Sequence, residues 1–132
     1  MSSSLTKHSI VLVDDEMELV SLFRAFLEKD GHTVVPFSDP ELALEYFKRT
    51  SMNHALLITD LRMPGLNGID LAYNIRKLNS NIKIFLMTAF DIRDLESYPN
   101  YKEVRIDKTA SKTNSFIRNK NIDRKSVVAF GN

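Results

Sequence analysis

The chain has 132 residues, enough for one domain with a buried core. Its net charge of +1, with 43% hydrophobic and 27% charged residues, is typical of a soluble globular protein and does not predict binding to nucleic acid or to a membrane. The absence of cysteine excludes disulfides, thiolate catalysis and cysteine-ligated zinc. There is no apolar run long enough to cross a bilayer, and residues 1–7 lack the apolar stretch of a secretory signal. We therefore expect a cytoplasmic protein with a short flexible lead-in, residues 1–7.

Short apolar runs alternate with amphipathic segments along the chain. We predict five strands: Ser9–Val13, Thr33–Phe37, Ala55–Thr59, Ile82–Met87 and Glu103–Asp107, the last because Val104 and Ile106 share one face. The first, third and fourth are apolar nearly throughout, which is typical of parallel strands covered on both faces. The alternation of strand and helix patterns indicates an α/β domain with a doubly wound, five-stranded parallel sheet. We assign this domain to residues 8–108.

The predicted helices have recognisable ends. Apolar residues recur at helical spacing from Leu19 to Leu27, and Gly31 then favours a helix C-terminus. The second helix is predicted to begin near Pro40, because Ser38 or Asp39 before it can cap the first turn. The three histidines are scattered without the spacing of metal ligands, so we interpret them as structural or surface residues.

Residues 109–132 differ in composition from the rest of the chain. They contain five basic residues and one acidic residue, and apolar side chains are sparse before Val127. A fifth helix in this segment would be atypical or missing, because an amphipathic helix needs a continuous apolar stripe. We expect a weak helix or a disordered, solvated basic tail.

Polar residues follow four of the predicted strands. They are Asp14, Asp15, Asp60, Thr88 and Lys108. Taken singly, each has an ordinary structural explanation as a helix cap, a turn residue, a strand-end hydroxyl or a solvated lysine. In doubly wound sheets, however, ligands bind beyond the carboxyl ends of the strands. Because all five residues fall at that edge, we predict that they form one site.

The residue types at this edge suit phosphoryl chemistry. Three carboxylates in one crevice need a cation, and Mg²⁺ is the hard ion that binds carboxylates together with a phosphate oxygen. Asp60 closes its strand, which makes it available as a nucleophile that forms an acyl phosphate. The hydroxyl of Thr88 and the ammonium of Lys108 would each meet a phosphoryl oxygen.

Four segments of the chain resemble the response-regulator receiver domains of two-component signalling. They are Ile10–Glu16, Asp60–Gly68, Leu86–Ala89 and Asp107–Lys108, and they occur in the order and spacing of that family. The resemblance implies a flavodoxin-like strand order, 2-1-3-4-5. It also implies that a histidine kinase or a phosphotransfer protein donates the phosphoryl group.

The resemblance implies a role for each site residue. Asp60 would be the phosphoacceptor, and Thr88 and Lys108 would bind the phosphate and take part in switching. The ligands of Mg²⁺ would be Asp14, Asp15, Asp60 and the backbone carbonyl of Arg62.

The chain departs from the family pattern around the lysine. Arg105 occupies the switch position three residues before Lys108, where receivers usually carry an aromatic residue, and Thr109 replaces the proline that usually follows the lysine. Arg62 and Phe90 occupy the two positions that tune dephosphorylation in the family. The bulk of Phe90 predicts a longer-lived phosphoryl group, because it would exclude the attacking water.

These residues predict a phosphorelay protein that accepts a phosphoryl group on Asp60 and switches a protein-binding surface, and not an enzyme with a separate substrate. The alternative is a degenerate receiver that acts as a phosphorylation-independent scaffold, which Arg105 and Thr109 favour. A dedicated phosphohydrolase would place a second aspartate where Arg62 stands. No output domain fits after Lys108, so we expect output through an unidentified downstream protein. The sequence is also compatible with a homodimer.

Overall fold

The structure, a computed structural model, describes residues 9–50, 54–88 and 92–111. These residues form a five-stranded parallel sheet in the order β2-β1-β3-β4-β5. The strands are β1 Ser9–Val13, β2 Thr33–Phe37, β3 Leu56–Asp60, β4 Lys83–Thr88 and β5 Lys108–Ser111. The predicted fold class and strand order are confirmed. The prediction for a fifth helix concerns residues outside the described ranges.

Helices connect the strands. They are α1 Met17–Lys29, α2 Pro40–Thr50, α3 Gly68–Leu78 and α4 Tyr101–Val104, with a 3₁₀ helix at Ile92–Ser97. Gly31 follows α1 with a φ of 95°, a conformation that favours glycine, so it ends the helix as predicted. The backbone N–H of Glu41 donates to Oδ1 of Asp39 at 2.9 Å, which caps α2. Among the described residues, no helix has the length and apolar character needed to cross a membrane.

The core has two layers, one on each face of the sheet. On one face, α1 packs Phe23 against strand residues such as Ile58. On the opposite face, α2 and α3 pack Phe47 and Ile75 against residues such as Leu57. Burying one such side chain contributes roughly 1.5–3 kcal/mol. The sheet is therefore a firmly packed base for the loops at its carboxyl edge.

The fifth strand does not lie where the sequence predicted it. The prediction of Glu103–Asp107 is wrong, because α4 occupies Tyr101–Val104 and β5 occupies Lys108–Ser111. Val104 lies on α4 and its side chain is buried. In the sequence it alternates with Ile106, which is the pattern expected of a strand. Arg105 then takes a left-handed backbone (φ 55°), which interrupts any extended segment and costs about 1–2 kcal/mol. The sheet thus continues past residue 108, the predicted end of the domain.

Candidate functional site

The carboxyl ends of β1 and β3 bring three carboxylates together. Asp14 follows β1 directly, and Asp60 is the last residue of β3. The sheet pairs Val13 with Thr59, so the next residues, Asp14 and Asp60, lie side by side at the carboxyl edge. Carboxylate oxygens of Asp14, Asp15 and Asp60 all lie within 4.8 Å of one another. Asp14 and Asp60 are buried and Asp15 is exposed, so the cluster opens to solvent on the Asp15 side.

Backbone N–H groups orient the two buried carboxylates. Oδ1 of Asp14 accepts a hydrogen bond from the Glu16 N–H at 2.9 Å. Oδ1 of Asp60 accepts one from the Leu61 N–H, also at 2.9 Å. The Asp14 N–H donates to the Phe37 carbonyl at 3.1 Å, which continues the β1–β2 pairing beyond β1. One oxygen of each buried carboxylate is thus held by the chain that follows it.

A glycine behind Asp60 lets the loop after β3 close tightly. The Gly68 N–H donates to the Leu61 carbonyl at 2.7 Å. A Cβ atom at Gly68 would lie 2.2 Å from the backbone oxygen of Asp60, so no larger residue fits without a shift of the backbone. Asn67 caps α3, because its Oδ1 accepts from the Asp70 N–H at 2.8 Å. The start of α3 is therefore held directly against Asp60.

Three like charges at this distance favour a bound cation. Two full charges 4.8 Å apart repel by about 3.5 kcal/mol at an effective dielectric constant of about 20. Solvent screens the exposed Asp15 more than the two buried carboxylates. Mg²⁺ prefers carboxylate oxygens and keeps waters or phosphate oxygens in its remaining positions. The donor set and its solvent-facing side therefore fit Mg²⁺.

The next strand ends beside this cluster. Thr88 is the last residue of β4 and is buried. The sheet pairs Asp60 with Met87, so Thr88 extends one residue beyond the partner of Asp60. Arg62 is exposed in the loop that follows β3. Phe90 lies outside the described residues.

Lys108 does not lie at the carboxyl edge, where the sequence predicted it. It is the first residue of β5 and pairs with Phe85, and its ammonium lies 5.8 Å from the centre of the Phe85 ring. Thr88 is three residues further along β4, which is about 10 Å at the rise of a parallel strand. Arg105, the predicted switch position, is exposed in the turn before β5. The predicted placement of Lys108 is wrong because β5 begins where the sequence pattern had it end.

The sequence interpretation missed the residue that ends β5. Ser111 pairs with Thr88 and is therefore the β5 residue at the carboxyl edge. The next residue in the sequence is Lys112, which lies outside the described residues. Lys108 and Lys112 are four residues apart, and each follows a short segment that is compatible with a strand. The sequence pattern alone does not show which lysine follows the end of β5. The strand register does, because it places Lys108 at the start of β5.

Comparison with known proteins places this geometry in a wider group. The family model described as response regulator receiver domain matches residues 10–116. The chain is 30% identical over 95 residues to the putative two-component response regulator ARR21 of Arabidopsis thaliana, covering 72% of this chain and 16% of that protein. It is 35% identical over 80 residues to the regulatory protein VanRc of Enterococcus gallinarum, covering 61% of this chain and 33% of that protein.

Solved structures agree with these matches. The response regulator protein TrrA of Thermotoga maritima, in complex with Mg²⁺ and BeF, has a TM-score of 0.68 and 30% identity, covering 89% of this chain and 97% of that chain. A response regulator receiver domain protein of Clostridium thermocellum has a TM-score of 0.72 over 92% of this chain and 94% of its own. Its identity of 22% makes it evidence for the fold alone.

Proposed function

The chain belongs to the response-regulator receiver family, and we propose that it accepts a phosphoryl group on Asp60 in a Mg²⁺-dependent reaction. The observation that carries the proposal is the cluster of three carboxylates, whose oxygens lie within 4.8 Å of one another. Receiver domains take phosphoryl groups from histidine kinases or phosphotransfer proteins and bind Mg²⁺ at an acidic pocket. We therefore expect a phosphohistidine as the donor group.

The reaction we propose is a transfer from nitrogen to oxygen. A carboxylate oxygen of Asp60 attacks the phosphorus atom while the bond between phosphorus and the donor imidazole nitrogen breaks. The electron pair of that bond stays with the imidazole nitrogen, and an acyl phosphate forms on Asp60. The Leu61 N–H, 2.9 Å from Oδ1 of Asp60, keeps the carboxylate in one orientation during the attack.

The acidic cluster supports a role in binding the ion. Mg²⁺, when bound, supplies positive charge that offsets the charge of the carboxylates and of the phosphoryl oxygens. Asp14 and Asp15 would hold it beside Asp60, and the backbone carbonyl of Arg62 is the further ligand that the family resemblance implies. Because Asp15 is exposed, the site is open to solvent on that side, and the phosphodonor would enter there.

The phosphoryl-binding groups come from the ends of β4 and β5 in this proposal. The hydroxyl of Thr88 donates to one phosphoryl oxygen. Lys112 follows Ser111 in the sequence and is our candidate for the phosphate-binding lysine in place of Lys108, because β5 ends at Ser111 opposite Thr88. With this change the family's switch position, three residues before the lysine, becomes Thr109.

We propose that output is a change in protein binding. A phosphoryl group adds about −1.5 to −2 charges at this edge and would draw the ends of β4 and β5 toward it, biasing a two-state surface that a downstream protein binds. The protein would phosphorylate itself from the donor and slowly lose its own phosphoryl group, without turning over a separate substrate. The chain covers 16% and 33% of the two curated relatives described above, so their whole-protein activities do not transfer to it.

Intact mass measurement tests the proposal. The protein is incubated with acetyl phosphate, with and without Mg²⁺, as wild type and as Asp60→Asn. We expect a gain of one phosphoryl group in the wild type with Mg²⁺ and no gain when either Mg²⁺ or the Asp60 carboxylate is missing. Asp94→Asn is the matched control, because Asp94 is an exposed carboxylate on the 3₁₀ helix and is not a member of the cluster.

A mass gain that persists in Asp60→Asn would place the modified group elsewhere and contradict the proposal. If the folded wild type gains no phosphoryl group from acetyl phosphate or from phosphorylated histidine kinases and phosphotransfer proteins in excess Mg²⁺, the phosphorylation-independent scaffold becomes the better description.

A further inference from the structure

A single arginine joins three segments at the amino edge of the sheet, opposite the carboxylates. The side chain of Arg76, on α3, is 10% exposed. Its guanidinium donates to the backbone carbonyls of Ser80, Ile82, Val104 and Arg105. It also lies 3.6 Å from a carboxylate oxygen of Asp107. Burial lowers the pKa of this guanidinium and the Asp107 carboxylate opposes that effect, as expected for a desolvated cation with a partner.

Asp107 connects this arginine to the pairing of β4 with β5. The Asp107 N–H donates to the Ile84 carbonyl at 3.0 Å. In return, the Ile84 N–H donates to Oδ2 of Asp107 at 2.8 Å. The residue just before β5 is thus bonded to β4 through both its backbone and its side chain. Arg76 contacts that same carboxylate oxygen of Asp107, so it braces the point at which β5 begins.

The start of β5 determines what stands beside Thr88. β5 has four residues, so few of its own ladder hydrogen bonds resist a slip. Its register runs from Lys108 opposite Phe85 to Ser111 opposite Thr88. A slip of one residue would move every β5 side chain to the other face of the sheet. It would also shift the end of β5 by about 3.3 Å relative to Thr88, in the direction of the strand.

We propose that Arg76 is a positioning residue for the phosphoryl site: by bracing Asp107 it sets the register of β5, and so places the end of β5 against Thr88. This inference rests on the function proposed above. Arg76 acts through β5. It is not in contact with the carboxylates of Asp14, Asp15 and Asp60 or with the phosphoryl group. Its guanidinium can do this because its planar set of five N–H donors matches oxygens from several segments at once, which an ammonium cannot do.

The structure separates the two binding steps, and this separation makes the inference testable. The three carboxylates lie at the carboxyl ends of β1 and β3, whereas Thr88, which we expect to bind a phosphoryl oxygen, ends β4 beside the end of β5. A shift of β5 should therefore weaken phosphoryl binding and leave Mg²⁺ binding in place. A general loosening of the fold would weaken both.

Beryllofluoride, which forms a phosphoryl-like complex on carboxylates, is the probe for the second step. The Mg²⁺ affinity and the beryllofluoride affinity in saturating Mg²⁺ are measured by calorimetry on wild type, Arg76→Lys and Arg76→Met. We expect beryllofluoride binding to weaken about tenfold or more in both variants, since a misplacement of about 1 Å can cost that much. We expect Mg²⁺ affinity to change by less than about twofold, since distant sites contribute independently.

Lys77→Met is the matched control. Lys77 is the next cation on α3, is exposed and lies over the Tyr73 ring at 4.2 Å, so its removal should leave both affinities unchanged. Asp107→Asn serves as a second test if Arg76→Met does not fold, because it keeps the side chain's size and removes the charge that Arg76 contacts. We expect the same selective loss of beryllofluoride affinity in Asp107→Asn.

Each outcome bears on a separate claim. Unchanged beryllofluoride affinity in the Arg76 variants, or a parallel loss of both affinities, would overturn the positioning role. A wild type that binds Mg²⁺ and no beryllofluoride would instead overturn the proposed function, and the positioning role with it.

Discussion

The two edges of the sheet use charged residues in opposite ways. At the carboxyl edge, three carboxylates lie within 4.8 Å of one another. At the amino edge, Arg76 is surrounded by four backbone carbonyls and the Asp107 carboxylate. The first arrangement concentrates like charge and gains from a bound cation, whereas the second surrounds one cation with acceptors from the protein itself.

The carboxyl edge of the sheet is therefore arranged for ligand binding, and the amino edge for stability of the fold. A cluster of like charges costs free energy in the folded protein until a ligand offsets it. A guanidinium bonded to several segments stabilises their arrangement whether or not a ligand is present. We therefore expect changes at the carboxyl edge to depend on Mg²⁺ and changes at the amino edge to be independent of it. The following three predictions test this contrast, from the largest effect to the smallest.

Gly68→Ala should cause the largest loss of stability. Its Cβ would lie 2.2 Å from the Asp60 backbone oxygen and 3.0 Å from a Leu86 methyl group, so the backbone must shift. We expect a loss of about 3 kcal/mol in the free energy of unfolding, measured by urea denaturation. Gly65→Ala is the control, since a Cβ there would make only an ordinary contact with the Glu41 side chain at 3.8 Å, and its φ of 89° is the one unfavourable feature for alanine. We expect a loss of about 1–2 kcal/mol there, and equal losses in the two variants would contradict the close contact.

Mg²⁺ should stabilise the wild type through the carboxyl edge. At a free concentration roughly 100 times its dissociation constant, a ligand that binds only the folded state adds about 2.7 kcal/mol. We expect thermal unfolding to show this gain in the wild type and to lose most of it in Asp60→Asn and in excess chelator. Asp94→Asn should keep the full gain, because that carboxylate lies outside the cluster. An equal Mg²⁺ effect in Asp60→Asn would show that the ion acts elsewhere.

His54 should give the amino edge a small dependence on pH. It is buried, with Nδ1 2.8 Å from the Ser9 hydroxyl and Nε2 3.2 Å from the Thr50 hydroxyl. Burial lowers its pKa below the ordinary value of 6.5, so the folded state resists protonation. The unfolded chain takes up a proton as the pH falls below about 6.5, and the stability that is complete above that pH is lost progressively.

Denaturation with urea at a series of pH values measures this effect. We expect the decline below pH 6.5 to flatten in His54→Gln, whatever the absolute stability of that variant. Saturating Mg²⁺ should not alter the contribution of His54, because the residue lies at the amino edge, before β3. A decline of the same size in His54→Gln would assign it to other groups.

Much of the site could be predicted because its signals are local. The apolar runs of β1, β3 and β4 end within one residue of the predicted positions, and an acid or a threonine stands at each end. Parallel strands bring their carboxyl ends to one edge whatever their neighbours are. The positions of Asp14 and Asp60 at the ends of predicted parallel strands were therefore enough to predict that they meet.

The fifth strand could not be predicted for the opposite reason. In residues 101–111 the alternation of Val104 and Ile106 favours the wrong segment, whereas Lys108–Ser111 has only Ala110 as an apolar residue, so the position of the strand depends on distant contacts. Val104 is buried in the core layer formed by α3 and the sheet, and Arg105, whose backbone is left-handed, accepts a hydrogen bond from Arg76. The prediction for Lys108 was wrong in placement because it depended on that choice.

The sequence by itself determined the α/β sheet, its buried central strands and the carboxylates at its carboxyl edge, because these follow from periodicity and from residues next to strand ends. Only the tertiary structure decided the register of β5 and the role of Arg76. The physical reason is distance along the chain: the carbonyl partners of Arg76 on Val104 and Arg105 lie 28 and 29 residues away, and no local pattern encodes such contacts.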